Sequence, residues 1–184
     1  MGYSLAWLAV RGKTPDQILA ELGLRRTGER EGFAESDFSA ALLPSGWYVV
    51  VADHRLDLLD DKILMPLSAS CEIATCAVEE HVMFSLASLW KCGRKFWSVE
   101  HESYKGLEHL HQAGDLPPEF LTIRERLRAE QKAHSSGCDY IFDIPVETAH
   151  AITGYRHDAD IEGLIENVDA PFEILEAIAP PARE

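Results

Sequence analysis

The sequence predicts an α+β fold built on a mainly antiparallel sheet, with helices packed on one face. Three strand-length segments follow one another at residues 72–80, 82–90 and 95–102. The last two are joined by a short link containing Gly93, a residue suited to the positive φ of a tight hairpin turn. The central element of the prediction is therefore a three-stranded meander over residues 72–102.

Two helices are indicated by their terminal residues. Thr14, Pro15 and Gln17 follow the order of a capping box with proline at the first helical position, and Gly23 stands where a left-handed helix end is expected. A second helix is expected from residues 117–119, where two prolines and a glutamate precede apolar residues at helical spacing. These helices complete the α+β prediction.

Shorter patterns assign the remaining elements. Residues 5–10 are a continuous apolar run, which is typical of a buried strand. Residues 25–37 are charged and contain glycine, so we expect an exposed excursion there. The other predicted elements are a hairpin over 38–43 and 47–52, a helix within 55–67, a short helix over 103–113, a strand over 140–144 and a helix over 145–153.

The chain has 184 residues, of which 46% are apolar. This size fits one domain, which we expect to cover residues 1–178, followed by a frayed tail over 179–184. Residues 1–11 have neither the basic start nor the long apolar run of an export signal. The four cysteines lack the two-residue spacing of zinc or redox motifs, so we expect free thiols in a cytoplasmic protein.

Acidic residues dominate the charge of the chain. Asp and Glu number 31 and Lys and Arg number 17, which gives a net charge of −14 at pH 7. Such a surface repels the phosphates of nucleic acids and of anionic lipids, so we expect neither nucleic-acid binding nor membrane binding. From residue 135 onward, only Arg156 and Arg183 are basic, against eleven acidic residues. A basic protein partner is therefore expected to meet the C-terminal quarter.

Acidic side chains are concentrated in residues 158–169. Their spacing partly resembles an EF-hand calcium loop, with glycine at the turn position. Glutamate at the fifth position, aspartate at the twelfth and a proline two residues later depart from that pattern, and a short helix capped by Asp158 fits better. The candidate binding residues of this segment are Asp158, Asp160, Glu162 and Glu166.

A second polar cluster brackets the meander. If its strands are antiparallel, the turn after the first strand and the end of the third share one sheet edge, about 9–10 Å apart. Imidazoles beside carboxylates at such an edge can hold a transition metal, act as an acid/base pair or simply stay hydrated. The residues concerned are Glu80, His81, Glu100 and His101. No cofactor is predicted, and a divalent metal at this edge is the alternative.

The sequence contains no nucleophile elbow, phosphate-binding glycine loop, dinucleotide fingerprint or zinc-protease helix. Together with the acidic charge, this favours a non-enzymatic protein-binding domain that engages a basic partner, in the manner of small inhibitor or immunity proteins. One alternative is a small metal-dependent hydrolase that uses the histidine and glutamate cluster at the sheet edge. Another is a homo-oligomeric structural protein, and the sequence does not specify the oligomeric state.

Overall fold

The computed structural model describes residues 2–134, 137–159 and 169–178, and within them lie nine strands and four α-helices. The strands are β1 (Ser4–Arg11), β2 (Leu24–Glu31), β3 (Phe38–Leu42), β4 (Tyr48–Asp53), β5 (Glu72–Glu79), β6 (Phe84–Lys91), β7 (Arg94–Glu102), β8 (His111–Gly114) and β9 (Phe172–Ala177). The helices are α1 (Pro15–Leu22), α2 (Asp61–Leu67), α3 (Glu119–Ala133) and α4 (Asp143–Thr153).

The nine described strands form one antiparallel sheet in the order β2-β9-β3-β4-β1-β5-β6-β7-β8. The predicted α+β fold with a mainly antiparallel sheet is confirmed. β1 is central, with β4 hydrogen-bonded on one side and β5 on the other. Every residue of β1 except Arg11 is buried. Both faces of this strand are covered, which is why its sequence is continuously apolar instead of alternating.

Helices cover both faces of the sheet, whereas the sequence predicts helices on one face. Alternate residues of β1 enter two separate cores. Trp7 belongs to the core that contains Ile144 of α4, and Leu8 belongs to the core that contains Ile18 of α1. The face on which a helix lands depends on the path of its connecting loops, and hydrophobic periodicity carries no information about that path.

The meander predicted over residues 72–102 is confirmed as β5, β6 and β7. The sheet then continues into β8, which pairs with β7. The short helix predicted over residues 103–113 is therefore wrong, since residues 103–105 form a single 3₁₀ turn and the chain then runs back along β7. Gly114 permits this close approach, because a Cβ added there would lie 1.9 Å from the carbonyl oxygen of Phe96.

Two further stretches differ from their predicted structure. The sequence predicts an exposed excursion over residues 25–37, but residues 25–31 lie in β2, whose exposed residues show no apolar alternation. Residues 140–144 were predicted as a strand, but the chain enters α4 at Asp143. The helix predicted over residues 145–153 is confirmed as the body of α4. The predicted tail over residues 179–184 lies outside the described residues.

α4 brings two chain segments together at one end of the sheet. This helix packs across β5, β6 and β7 and against α3. It ends at Gly154, whose φ of 80° is left-handed. Tyr155 then packs edge-on against Trp7, with ring centroids 5.3 Å apart. The segments before and after α4 are thereby brought to the end of the sheet where β5 turns into β6.

The four cysteines are free thiols, two of them buried and two exposed. Among the residues that the structure describes, no helix is both long enough and apolar enough to cross a lipid bilayer.

Candidate functional site

A cleft of about 650 Å³ lies at the end of the sheet where β5 turns into β6. Its walls are drawn from three segments, residues 80–83 in the turn after β5, residues 137–143 leading into α4 and residues 156–158 following α4. Gly2, just before β1, completes the lining. We call this feature the acidic cleft.

Carboxylates outnumber cations in the acidic cleft. Glu80, Asp139, Asp143 and Asp158 line it, and among the lining residues that the structure describes Arg156 is the single Lys or Arg side chain. Since one guanidinium can balance one carboxylate charge, the walls carry an excess of negative charge.

Arg156 links the two segments that flank α4. Its guanidinium donates to Asp158 Oδ1 at 2.6 Å and to Asp143 Oδ1 at 2.8 Å. Burial lowers the pKa of Arg156, but the hydrogen bonds and charges of Asp158 and Asp143 outweigh burial and leave the pKa raised. Burial raises the pKa of Asp158, but the hydrogen bond from Arg156 and the nearby positive charge leave it lowered. Arg156 and Asp158 are therefore both charged at neutral pH.

His81 projects from the turn after β5 and pairs with the end of that strand. Its Nδ1 lies 2.7 Å from Glu79 Oε1, and its side chain is 64% exposed. The neighbouring Glu80 accepts a hydrogen bond from the backbone N–H of Tyr3 at 3.0 Å. Through Glu80 the turn after β5 is attached to the residue that precedes β1.

His157 lies deeper in the cleft than His81. Its ring contacts Tyr3 edge-on, with centroids 5.0 Å apart. Both of its ring nitrogens are buried, with no hydrogen-bond partner within the described part of the chain. Burial is the largest influence on this side chain and lowers its pKa, so the ring is neutral at neutral pH.

His101 lies behind the cleft wall and is fully buried, with a side-chain exposure of 0%. Its Nε2 lies 2.9 Å from Asp139 Oδ2, and its Nδ1 lies 2.7 Å from the backbone carbonyl oxygen of His109. Asp139 belongs to the cleft wall. The buried imidazole therefore connects β7 to the segment that leads into α4.

The structure does not bring the four residues of the predicted metal set together. Both ring nitrogens of His101 already face oxygen atoms inside the protein. Glu100 is adjacent to His101 on β7 and so points to the opposite face of the sheet. The described residues contain no group of three or more His, Cys, Asp or Glu side chains arranged to hold a metal ion. His81 and Glu80 remain together, but at the rim of the acidic cleft.

The predicted acidic binding residues are only partly within the described chain. Asp158 lies in the acidic cleft and pairs with Arg156. Asp160, Glu162 and Glu166 lie outside the described residues, as does most of the segment that was compared with a calcium loop.

Sequence reasoning missed Asp139, Asp143, Arg156 and His157 as parts of one site. A signal for Arg156 was present, because it is the one basic residue between positions 135 and 182. A lone cation in a strongly acidic stretch is expected to gather carboxylates around it. No comparable local signal marks Asp139, whose partner His101 lies 38 positions away.

Comparison with protein-family models, curated proteins and solved structures finds no match to this chain.

Proposed function

We propose that this protein is a non-enzymatic binding domain whose acidic cleft receives cationic side chains of a basic protein partner, in the manner of small inhibitor or immunity proteins. The observation that carries this proposal is the imbalance of charge in the cleft: Asp139 is paired with His101, and the three other carboxylates of the described lining share one guanidinium.

The internal pairing of the cleft leaves negative charge available to a ligand. Arg156 is shared between Asp143 and Asp158, and Asp139 is paired with His101 from behind the wall. The carboxylate of Glu80 has only the backbone N–H of Tyr3 as a hydrogen-bonding partner in the described structure. A lysine or arginine from a partner would pair with the remaining carboxylate charge through charge-assisted hydrogen bonds.

The size of the cleft suits side chains and not a whole element of structure. A volume of about 650 Å³ lies within the range of roughly 300–1,000 Å³ that is usual for ligand sites. One or two basic side chains from a protruding loop would fill it. The net charge of −14 would then accelerate association with such a partner at low ionic strength.

The test is a titration of ¹⁵N-labelled protein with the capped peptide acetyl-Lys-Gly-Lys-Gly-Lys-amide. We expect amide shifts to concentrate in residues 80–83, 137–143 and 156–158 and to vanish in high salt. The same peptide with acetylated lysines should produce none of them.

A charge-matched pair of variants separates the cleft from general acidity. Glu80→Gln/Asp143→Asn should weaken peptide binding on the order of fivefold, as expected for two partly exposed charge contacts. Glu29→Gln/Asp115→Asn removes the same charge from exposed positions elsewhere and should have a much smaller effect. Equal effects of the two double variants would mean that the acidity serves solubility, and the proposal would then be abandoned.

A further inference from the structure

His101 is enclosed by hydrogen-bond acceptors on both sides of its ring. Nε2 faces the carboxylate of Asp139 at 2.9 Å, and Nδ1 faces the carbonyl oxygen of His109 at 2.7 Å. A carbonyl oxygen has no hydrogen to donate, and neither has an ionised carboxylate. Both ring nitrogens must therefore donate, which makes the ring an imidazolium.

Asp139 accepts a second set of hydrogen bonds on its other carboxylate oxygen. Its Oδ1 accepts from the backbone N–H groups of Ile141 and Phe142, each at 3.2 Å. Hydrogen bonds to a carboxylate stabilise its charged form. The same two bonds shape the turn into α4, where the hydroxyl of Ser85 adds another tie by donating to the carbonyl oxygen of Phe142 at 2.7 Å.

The other charged and titratable groups near His101 agree with this assignment. Glu102 on β7 adds negative charge, and Lys105 pairs with it at the surface. Nδ1 of His109 accepts the backbone N–H of Glu102 at 3.1 Å, so that ring is neutral, and its pKa is lowered chiefly by burial. Burial lowers the pKa of His101 as well, but the hydrogen bonds to Asp139 and the His109 carbonyl and the charges of Asp139 and Glu102 leave it raised.

We infer that His101 and Asp139 form a buried ion pair whose role is to position the wall of the acidic cleft. The pair fixes residues 137–142 against β7, so that the cleft has its shape before any partner arrives. His101 is thus a positioning residue that acts through Asp139 and touches no ligand itself. This inference deepens the proposed function and rests on it for the binding readout, while the ion pair can be tested without any ligand.

The first test is the protonation state of His101 in the wild-type protein. Imidazole ¹⁵N spectra at pH 7 should show hydrogens on both ring nitrogens, and Asp139→Asn should remove one of them. The exposed pair of His54 and Asp53, in which Nε2 lies 3.8 Å from Oδ2, supplies the matched control. Asp53→Asn should leave the His101 signals unchanged. A ring nitrogen of His101 that carries no hydrogen in the wild-type protein would overturn the inference.

The second test separates positioning from simple electrostatics. His101→Gln removes a positive charge beside the cleft, so electrostatics alone predicts tighter binding of the capped lysine peptide. Positioning predicts binding weaker by about tenfold, because losing one partner of a buried charged pair disorders the wall. Binding that is unchanged or tighter would overturn the inference.

A measurement that needs no ligand tests the positioning role of His101 even if the peptide fails to bind the wild-type protein. Amide hydrogen exchange of Ile141 and Phe142 should accelerate at least about tenfold in His101→Gln, since local opening then becomes easier. His54→Gln should leave these amides unchanged. Equal exchange in both variants would reject the positioning role, whereas failure of the peptide alone would reject only the proposed function.

Discussion

His81 and His101 lie at the same end of the meander and hydrogen-bond to carboxylates at similar distances, yet their surroundings differ completely. His81 lies 2.7 Å from Glu79, and its side chain is 64% exposed. His101 lies 2.9 Å from Asp139, and the side chains of that pair are 0% and 8% exposed. The distance between the partners therefore does not show which pair contributes more to the free energy of unfolding. The difference lies in how much water competes for each charge.

Burial makes the loss of a partner costly. At the surface, water replaces a missing partner, so a pair contributes about 0–1 kcal/mol to the free energy of unfolding. In the interior no such replacement is present, and removing one member of a buried pair costs about 3–5 kcal/mol because a charge remains unpaired. His101 and His81 give this contrast within one sheet.

The largest effect is expected from His101→Ala. The substitution leaves Asp139 buried without its partner, and we expect the free energy of unfolding to fall by about 3–5 kcal/mol in urea denaturation at pH 7. The double variant His101→Ala/Asp139→Asn should lose less than the sum of its two single variants, since each single change breaks the same interaction. Strict additivity would show that the two side chains are not coupled.

A smaller effect should appear in the pH dependence of stability. The pKa of His101 is raised in the folded state, so its contribution is fully present below the unfolded value of about 6.5 and is lost as pH rises through the folded value. His109 and His157 have lowered pKa values, so their contribution is instead lost as pH falls below about 6.5.

Comparison with His101→Gln isolates the first of these contributions. Denaturation measured between pH 6 and pH 9 should show the wild-type advantage over the variant shrinking as pH rises. The effects of His109 and His157 are common to both proteins and cancel in the difference. A difference that grows with pH would contradict the assignment of His101 as an imidazolium.

The smallest effect is expected from His81→Gln. Because the pair with Glu79 is exposed, the free energy of unfolding should change by less than about 1 kcal/mol, and the change should shrink further in 0.5 M salt. Thermal melts at low and high salt provide the measurement. A loss of unfolding free energy as large as that of His101→Ala would contradict the expected difference between the exposed pair and the buried pair.

Features specified by neighbouring residues were predictable from the sequence. The capping box at Thr14 is present, with hydrogen bonds in both directions between Thr14 and Gln17, and Gly23 ends α1 in the left-handed conformation. The meander over residues 72–102 was likewise specified by strand-length segments and a glycine-containing turn. In these elements the stabilising partners lie a few positions apart or across a hairpin.

Features specified by distant residues were not predictable. The edge location of His81 and His101 followed from strand geometry, but their separation into an exposed and a buried side chain did not. His101 is buried because the segment around Asp139 folds over it, and that segment carries no periodic pattern or capping motif. The placement of the helices on both faces depends on loop paths in the same way.

The position of β9 between β2 and β3 has a consequence for biosynthesis. The hydroxyl of Thr27 in β2 donates a hydrogen bond to the carbonyl oxygen of Ile174, which lies 147 positions further along the chain. At roughly 5–20 residues per second, the ribosome needs about 7–30 s to supply them. During that interval β2 lacks β9, its one neighbour in the described sheet, and its dense charges, including Arg25, Glu29 and Arg30, disfavour pairing with another nascent chain.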